Sequence, residues 1–119
     1  RYHNLFVESK DIVEFCKKYR YRICLDVSHS KLACNYHNES FSEFIKNTSN
    51  YSAHLHIVDA KGIDGEGLQI GDGEIDFIEM SKLLNEYSPM SSFIPEIWQG
   101  HKDAGAGFWL ALNKLEGLL

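Results

Sequence analysis

Three short apolar segments decide the fold class of this chain: Arg22-Ile23-Cys24-Leu25-Asp26, His54-Leu55-His56-Ile57-Val58-Asp59 and Ser92-Phe93-Ile94-Pro95-Glu96-Ile97. Each segment carries a side chain that can bind a metal ion, and each is followed by a loop and an amphipathic helical pattern. Alternating strands and helices predict a parallel sheet, whose strand C-termini share one edge where ligands bind. We therefore expect Asp26, His56 and Glu96 to converge on one divalent ion, since such a ligand set suits Mn, Mg, Co or Zn.

The composition narrows the class of protein. The 119 residues fit one domain, residues 1–119, and the net charge of −5 argues against a nucleic-acid surface. A basic cluster at residues 17–22 is explained more simply as the solvated C-terminus of a helix than as a phosphate-binding site. Three cysteines without a CxxC pair favour reduced, mostly buried thiols in a cytoplasmic protein. There is no apolar run of the roughly 20 residues that a membrane span needs, and no signal-peptide pattern.

Capping signals place the helices between the strands. Ser9 is predicted to cap a first helix that carries an apolar stripe at i, i+3, i+4 and i+7. Two capping boxes, Ser40 with Glu43 and Asp76 with Glu79, predict the starts of two further helices. The strands are apolar on both faces, as expected of a parallel sheet covered by helices. The predicted order is helix, strand, helix, strand, helix, strand, helix.

The number of strands indicates part of a larger fold. Three parallel strands cannot close a barrel and would leave two open edges. We therefore expect α/β architecture in which this chain is the C-terminal part of a (β/α)8 TIM barrel, from its fifth helix through its eighth strand and eighth helix. A dimer of fragments and a genuine three-stranded domain are the alternatives. A Gly-rich segment at residues 62–73 is expected to form a rim loop, and the last helix to begin after residues 105–107.

Four motifs, in order, are similar to those of one known group of barrels. Asp26-Val27-Ser28-His29 resembles the D-x-x-H motif on the sixth strand, and residues 54–59 resemble H-x-H-x-x-D on the seventh. Residues 71–77 are similar to the G-x-G-x-I-D-F/W loop before the seventh helix, and Pro95-Glu96-Ile97-Trp98 looks like the eighth strand. The group is the xylose isomerase-like TIM barrel superfamily, which includes sugar-phosphate isomerases and epimerases, inosose dehydratase and AP endonuclease family 2 proteins such as endonuclease IV. Together the motifs indicate the superfamily far more specifically than they indicate a reaction.

The resemblance implies roles for four residues. Asp26, His56 and Glu96 would bind the divalent metal, and Glu96 would also transfer a proton at the substrate carbon. His29 would be a second catalytic residue that hydrogen-bonds a substrate oxygen. The family normally adds a Glu from the fifth strand, about one βα unit of roughly 30 residues before Asp26, which falls before Arg1. The isolated chain is therefore expected to be a poor catalyst.

Residues beyond the strands are candidates for substrate binding. Lys61 could neutralise a phosphate, a carboxylate or an enediolate, Trp98 could form an apolar wall under a sugar, and His101 lies in the same rim region. Each has a simpler explanation, because loop lysines are often only solvated and Trp98 can serve as packing at the top of a barrel. An aspartate that ends a strand, such as Asp26, is often only a cap for the next turn.

The histidine ligand needs an acceptor for its other ring nitrogen. His54 lies on the same strand face as His56, and Asp59 follows closely, so both are candidates. A single histidine at such a position is more often a hydrogen-bonded core residue than a metal ligand, and this is the simpler explanation of His54. The glycines at 62–73 could cradle a phosphate, but they lack the GxGxxG and GxxxxGK spacings.

The leading functional hypothesis is a divalent-metal-dependent sugar or sugar-phosphate isomerase or epimerase, acting by proton transfer through a metal-bound enediolate. An inosose-dehydratase-like lyase on the same site is one alternative. A catalytically silent barrel fragment, acting as a binding domain in a carbohydrate-biosynthesis protein, is another. An endonuclease IV-like phosphodiesterase is a further option, which the acidic charge and the small number of His and Glu ligands disfavour. The expected partners are a small sugar or sugar phosphate and either a second copy or the missing half-barrel. No membrane is expected, and nucleic acid is expected only in the phosphodiesterase case.

Overall fold

The computed structural model describes residues 7–119. The helices are α1 (Ser9–Tyr19), α2 (Val27–His37), α3 (Phe41–Ser49), α4 (Phe77–Tyr87) and α5 (Lys102–Glu116). The strands are β1 (Ile23–Asp26), β2 (Ser52–Ile57), β3 (Asp59–Lys61), β4 (Gly65–Leu68) and β5 (Ser92–Pro95). The expected α/β arrangement of parallel strands alternating with helices is confirmed by this order.

The central sheet is parallel and has the order β1-β2-β5, so β2 is paired on both sides. Leu25 lies opposite Leu55, and Leu55 lies opposite Phe93. Leu25 and Leu55 are buried in the core beneath the helices. Helices α2 to α5 contribute large, fully buried side chains to the same core: Leu32, Phe44, Ile45, Met80, Leu84 and Leu115.

The opposite face of the sheet is open in the described part of the chain. Cys24 and Ser92 are exposed, and His54 and His56 are half-buried. The expectation of strands that are covered on both faces is therefore wrong for residues 7–119. Alternation along a strand sends every second side chain to this face, and here those side chains are mostly polar.

Capping explains where most helices begin. Ser40 Oγ accepts from the N–H of Glu43 at 3.3 Å, and Asp76 Oδ1 accepts from the N–H groups of Ile78 and Glu79 at 3.0 Å each, so both predicted N-caps are confirmed. The prediction for Ser9 is wrong. The N-cap of α1 is Glu8, and the Ser9 hydroxyl donates instead to Glu39.

Helix α2 and strands β3 and β4 are additions to the predicted order, and helix α5 begins irregularly. Helix α2 follows β1 directly, because Asp26 caps it through the N–H of His29 at 2.9 Å. Strands β3 and β4 form an antiparallel hairpin that includes part of the segment 62–73, which we had expected to be only a loop. Helix α5 starts at Lys102 but has left-handed backbone at residues 103–105, so its regular part begins near the predicted position.

Candidate metal centre

The register of the sheet brings the three predicted ligands together. Asp26 is the last residue of β1 and lies opposite His56 in β2. His56 lies in turn opposite Ile94 of β5, and Glu96 follows two residues later, on the same side of the strand. All three side chains therefore leave the C-terminal edge of the sheet from its open face.

The distances within this group suit a small cation. His56 Nδ1 lies 2.9 Å from Glu96 Oε2 and 3.8 Å from Asp26 Oδ2. One ligand atom from each of the three side chains lies within 4.8 Å of the other two. Bonds of about 2.0–2.2 Å from an ion to oxygen or nitrogen ligands place two ligand atoms at most about 4.4 Å apart. The three ligand atoms are therefore close enough to bind one divalent ion after small side-chain movements.

The two carboxylate oxygens of Asp26 have separate tasks. Oδ1 accepts from the N–H of His29 and caps α2, whereas Oδ2 faces both His56 and the ring of His29. The capping explanation and the ligand explanation of Asp26 are therefore compatible. The cap fixes the carboxylate so that its second oxygen points toward the candidate centre.

His29 is paired with a residue that the sequence interpretation missed. Its Nε2 lies 2.7 Å from Glu66 Oε2, and its Nδ1 lies 3.5 Å from Asp26 Oδ2. Glu66 comes from β4, within the segment that we had expected to form a rim loop. The sequence signal was a single acidic residue between two glycines, Gly65 and Gly67, in a chain rich in acidic residues. That signal becomes informative only when the hairpin is known.

A cavity of about 620 Å³ opens next to these residues. Asp26, His29, Glu66 and Glu96 line one part of it, and the backbone and side chains after β5 line another. Its size lies in the ordinary range for small-molecule sites. Two of the three candidate ligands, Asp26 and Glu96, therefore border a space that a small polar molecule can enter.

The predicted substrate-binding residues divide into two groups. His29, Trp98 and His101 all line the cavity. The Trp98 residue is 75% exposed. Its backbone N–H donates to the carbonyl oxygen of Gly67 at 2.9 Å, and this bond joins the segment after β5 to the hairpin. Lys61 instead lies at the exposed end of β3, opposite Gly65, and does not belong to the lining of this cavity.

Asp59 does not serve as the acceptor for His56. It is fully buried, and its carboxylate accepts from four backbone N–H groups, those of Ala60, Gly71, Gly73 and Ile75. The interpretation of Asp59 as a partner of the histidine ligand is wrong, because the glycine segment folds back onto its carboxylate. Its place in the structure is to hold the segment 71–75 against β3.

His54 and Cys24 lie one layer further from the C-terminal edge. His54 Nδ1 lies 2.8 Å from Ser92 Oγ, and its ring centroid lies 5.5 Å from that of His56. Cys24, which we had expected to be buried, is exposed, whereas Cys16 and Cys34 are buried. Partial burial raises the pKa of the Cys24 thiol, and the nearby carboxylates of Asp26 and Glu96 raise it further.

The family of the chain follows from comparison with known proteins. None of the helices within residues 7–119 combines the length and apolar character needed to cross a membrane. No curated protein matches the chain. The family described as xylose isomerase-like TIM barrel matches residues 2–112, which is most of the sequence. The chain therefore belongs to the xylose isomerase-like TIM barrel family.

Proposed function

We propose that this chain is the C-terminal part of a barrel, from the fifth helix to the eighth, and carries the metal ligands Asp26, His56 and Glu96 of a sugar or sugar-phosphate isomerase or epimerase. The observation that carries the proposal is the convergence of these side chains, within 4.8 Å, beside a cavity at the C-terminal edge of a parallel sheet. Active sites of such barrels lie at that edge.

The open sheet supports the barrel part of the proposal. Within the described residues, β1 and β5 each have an unpaired edge, and one sheet face is not covered. Further parallel strands would pair with both edges and enclose this face. We therefore propose that this chain packs on the other half of a barrel.

The ligand set suits the chemistry of proton transfer beside a carbonyl. Bound there, Mn, Mg, Co or Zn would act as a Lewis acid and stabilise negative charge on the substrate oxygens. Glu96 has a side chain that is 57% exposed and lines the cavity, so a substrate carbon can approach its carboxylate. In an isomerase, Glu96 would remove a proton from that carbon and return it to the neighbouring carbon on the same face. Epimerisation would also need a second acid on the opposite face of the substrate, which the proposed other half of the barrel would supply.

His29 is suited to bind a substrate hydroxyl or carbonyl oxygen. Its ring is held between Glu66 and Asp26 at the wall of the cavity, and 56% of its side chain remains exposed. Trp98, across the cavity, offers an apolar ring face on which a sugar ring can stack. Lys61 is too far around the hairpin to line this cavity, so we leave it out of the proposed site.

The test uses the full-length protein with Glu96→Gln and Asp26→Asn. We expect Glu96→Gln to abolish turnover of aldose and ketose phosphates while Mn²⁺ still binds, more weakly, in calorimetry. Asp26→Asn should weaken Mn²⁺ binding itself. Products formed in heavy water separate the reactions, since isomerisation and epimerisation incorporate deuterium and a lyase releases water. Unchanged turnover in Glu96→Gln would remove Glu96 from the mechanism, and absence of Mn²⁺ binding in the wild-type protein would refute the proposal.

A further inference from the structure

A second group of metal-binding side chains lies beneath the first on the open sheet face. Cys24 of β1 lies opposite His54 of β2, and each is two residues before a member of the first group, Asp26 and His56. One ligand atom from each of Cys24, His54 and His56 lies within 4.8 Å of the other two. The two-residue period of a strand thus produces two layers of ligands, with His56 belonging to both.

The two layers differ in chemistry. The upper layer offers two carboxylates and one imidazole, which suits Mg²⁺ or Mn²⁺. The lower layer offers one thiolate and two imidazoles, a softer set that favours Zn²⁺ and other thiophilic ions. In both layers the ligand atoms are close enough to bind one ion. The softness of an ion therefore determines which layer it prefers.

The lower layer has the support that metal-binding histidines usually have. His54 Nδ1 lies 2.8 Å from Ser92 Oγ. When Nδ1–H donates to this hydroxyl oxygen, the ring is oriented and the lone pair of Nε2 is available to a metal ion. Ser92 lies opposite His54 in the sheet, so this contact is fixed by the register of β2 and β5. The Cys24 thiol is exposed on the same face and is accessible to an ion.

We propose that Cys24, His54 and His56 form a second metal position, selective for thiophilic ions such as Zn²⁺ and Cd²⁺, which shares His56 with the candidate centre above it. Cys24 binds as the thiolate, so each ion that enters releases the thiol proton to solvent. Because His56 is common to both sets, an ion in the lower position weakens binding of Mn²⁺ in the upper one. The lower position does not depend on the proposed isomerase activity.

Co²⁺ and Cd²⁺ titrations of the full-length protein test the proposal, because thiolate ligation gives ultraviolet charge-transfer absorption that carboxylates and imidazoles do not give. We expect this absorption in the wild-type protein and its loss in Cys24→Ser. The matched control is Cys34→Ala, which removes a buried thiol of α2 and should leave the absorption unchanged. Ser92→Ala should keep the absorption but weaken Cd²⁺ binding about tenfold, as expected when a contact that orients a metal-binding histidine is lost.

Mn²⁺ binding, measured by electron paramagnetic resonance, separates this proposal from the previous one. Cys24→Ser should bind Mn²⁺ as the wild type does, and Cd²⁺ should displace Mn²⁺ from the wild type but not from the variant. Circular dichroism checks that each variant is folded. Equal Cd²⁺ affinity and equal absorption in wild type and Cys24→Ser would overturn the second position, even if Mn²⁺ still binds the upper one. Absence of Mn²⁺ binding together with Cys24-dependent Cd²⁺ binding would overturn only the proposed function.

Discussion

Neutralising the buried carboxylate of Asp59 should destabilise the fold, although Asp59 lies outside the candidate centre. Its Oδ1 accepts from the N–H groups of Ala60 at 2.8 Å and Ile75 at 3.1 Å, and its Oδ2 accepts from those of Gly71 at 3.0 Å and Gly73 at 2.8 Å. The backbone approaches so closely that a Cβ on Gly73 would collide with this carboxylate and with the Ala60 carbonyl.

Replacing Asp59 with Asn removes one acceptor oxygen while keeping the size of the side chain. The amide oxygen can still accept from two of the four N–H groups, but the amide NH₂ faces the other two. Ala60 and Ile75 are buried, whereas Gly73 is half-buried and Gly71 is exposed, so the amide should turn its NH₂ toward the two glycines. A buried donor left without a partner costs about 1–3 kcal/mol, and water can reach Gly71, so Asp59→Asn should lower the free energy of unfolding by about 1–3 kcal/mol. That loss is a substantial part of the roughly 5–15 kcal/mol by which domains are stable.

The matched control is Asp76→Asn, which makes the same chemical change. Asp76 is exposed and uses only Oδ1 to accept from the N–H groups of Ile78 and Glu79. Asn caps helices about as well as Asp, and the lost charge at the helix N-terminus is worth about 0.3–1 kcal/mol. We therefore expect Asp76→Asn to lower the free energy of unfolding by less than about 1 kcal/mol.

Urea unfolding followed by circular dichroism measures both variants, with the free energy extrapolated linearly to water. Limited proteolysis reports the local effect, because loss of the Asp59 contacts should expose the segment 71–75 to cleavage before the rest of the chain unfolds. Similar losses in Asp59→Asn and Asp76→Asn, both below about 1 kcal/mol, would refute the view that this carboxylate holds the segment 71–75 in place.

Two further predictions concern the His29 pair and a buried thiol. Glu66→Ala should change the ¹⁵N shifts of the His29 ring in NMR spectra while leaving those of His37 unaffected. Glu66→Gln keeps a hydrogen-bonding oxygen and should restore most of the wild-type spectrum. Identical spectra for all three proteins would contradict the contact between Glu66 and His29. Burial raises the pKa of Cys34 from 9.0 to about 12. The unfolded chain therefore loses this proton at lower pH than the folded chain. Above about pH 9, the free energy of unfolding should fall with pH more steeply in the wild type than in Cys34→Ala, by about 1.4 kcal/mol per pH unit. Urea unfolding measures both slopes, and equal slopes would contradict the prediction.

The parts of the fold that were predictable are those coded by neighbouring residues. The three strands were recognisable because short apolar segments recur at βα spacing, and the caps at Ser40 and Asp76 because a cap is a local motif. Helix α2 was missed because its sequence has little amphipathic period. Serines occupy two of its buried positions, and the hydroxyl of one of them, Ser30, donates to the Asp26 carbonyl oxygen.

The candidate centre was predictable where it lies on strands and not where it lies on the hairpin. Ligands at strand ends can be assigned to one edge from topology alone, so Asp26, His56 and Glu96 could be grouped before the structure was known. Glu66 reaches His29 because β3 and β4 pair as a hairpin, and Asp59 holds the segment 71–75 that follows β4 against β3. The effect of that buried carboxylate depends on backbone groups more than ten residues away, which no local pattern reveals.

One irregularity in the sheet decides whether the predicted ligands can meet at all. Ile23 lies opposite Ser52, yet the next residue, Cys24, lies opposite His54, so β2 has one extra residue, Ala53, at this point. Without it, Asp26 would lie opposite Leu55, and one of the two would have to leave its proper face. The extra residue moves the histidines of β2 into line with Cys24 and Asp26 while Leu55 stays in the core. Bulges are rare in parallel sheets, and this one lies three residues before each of the candidate ligands Asp26 and His56.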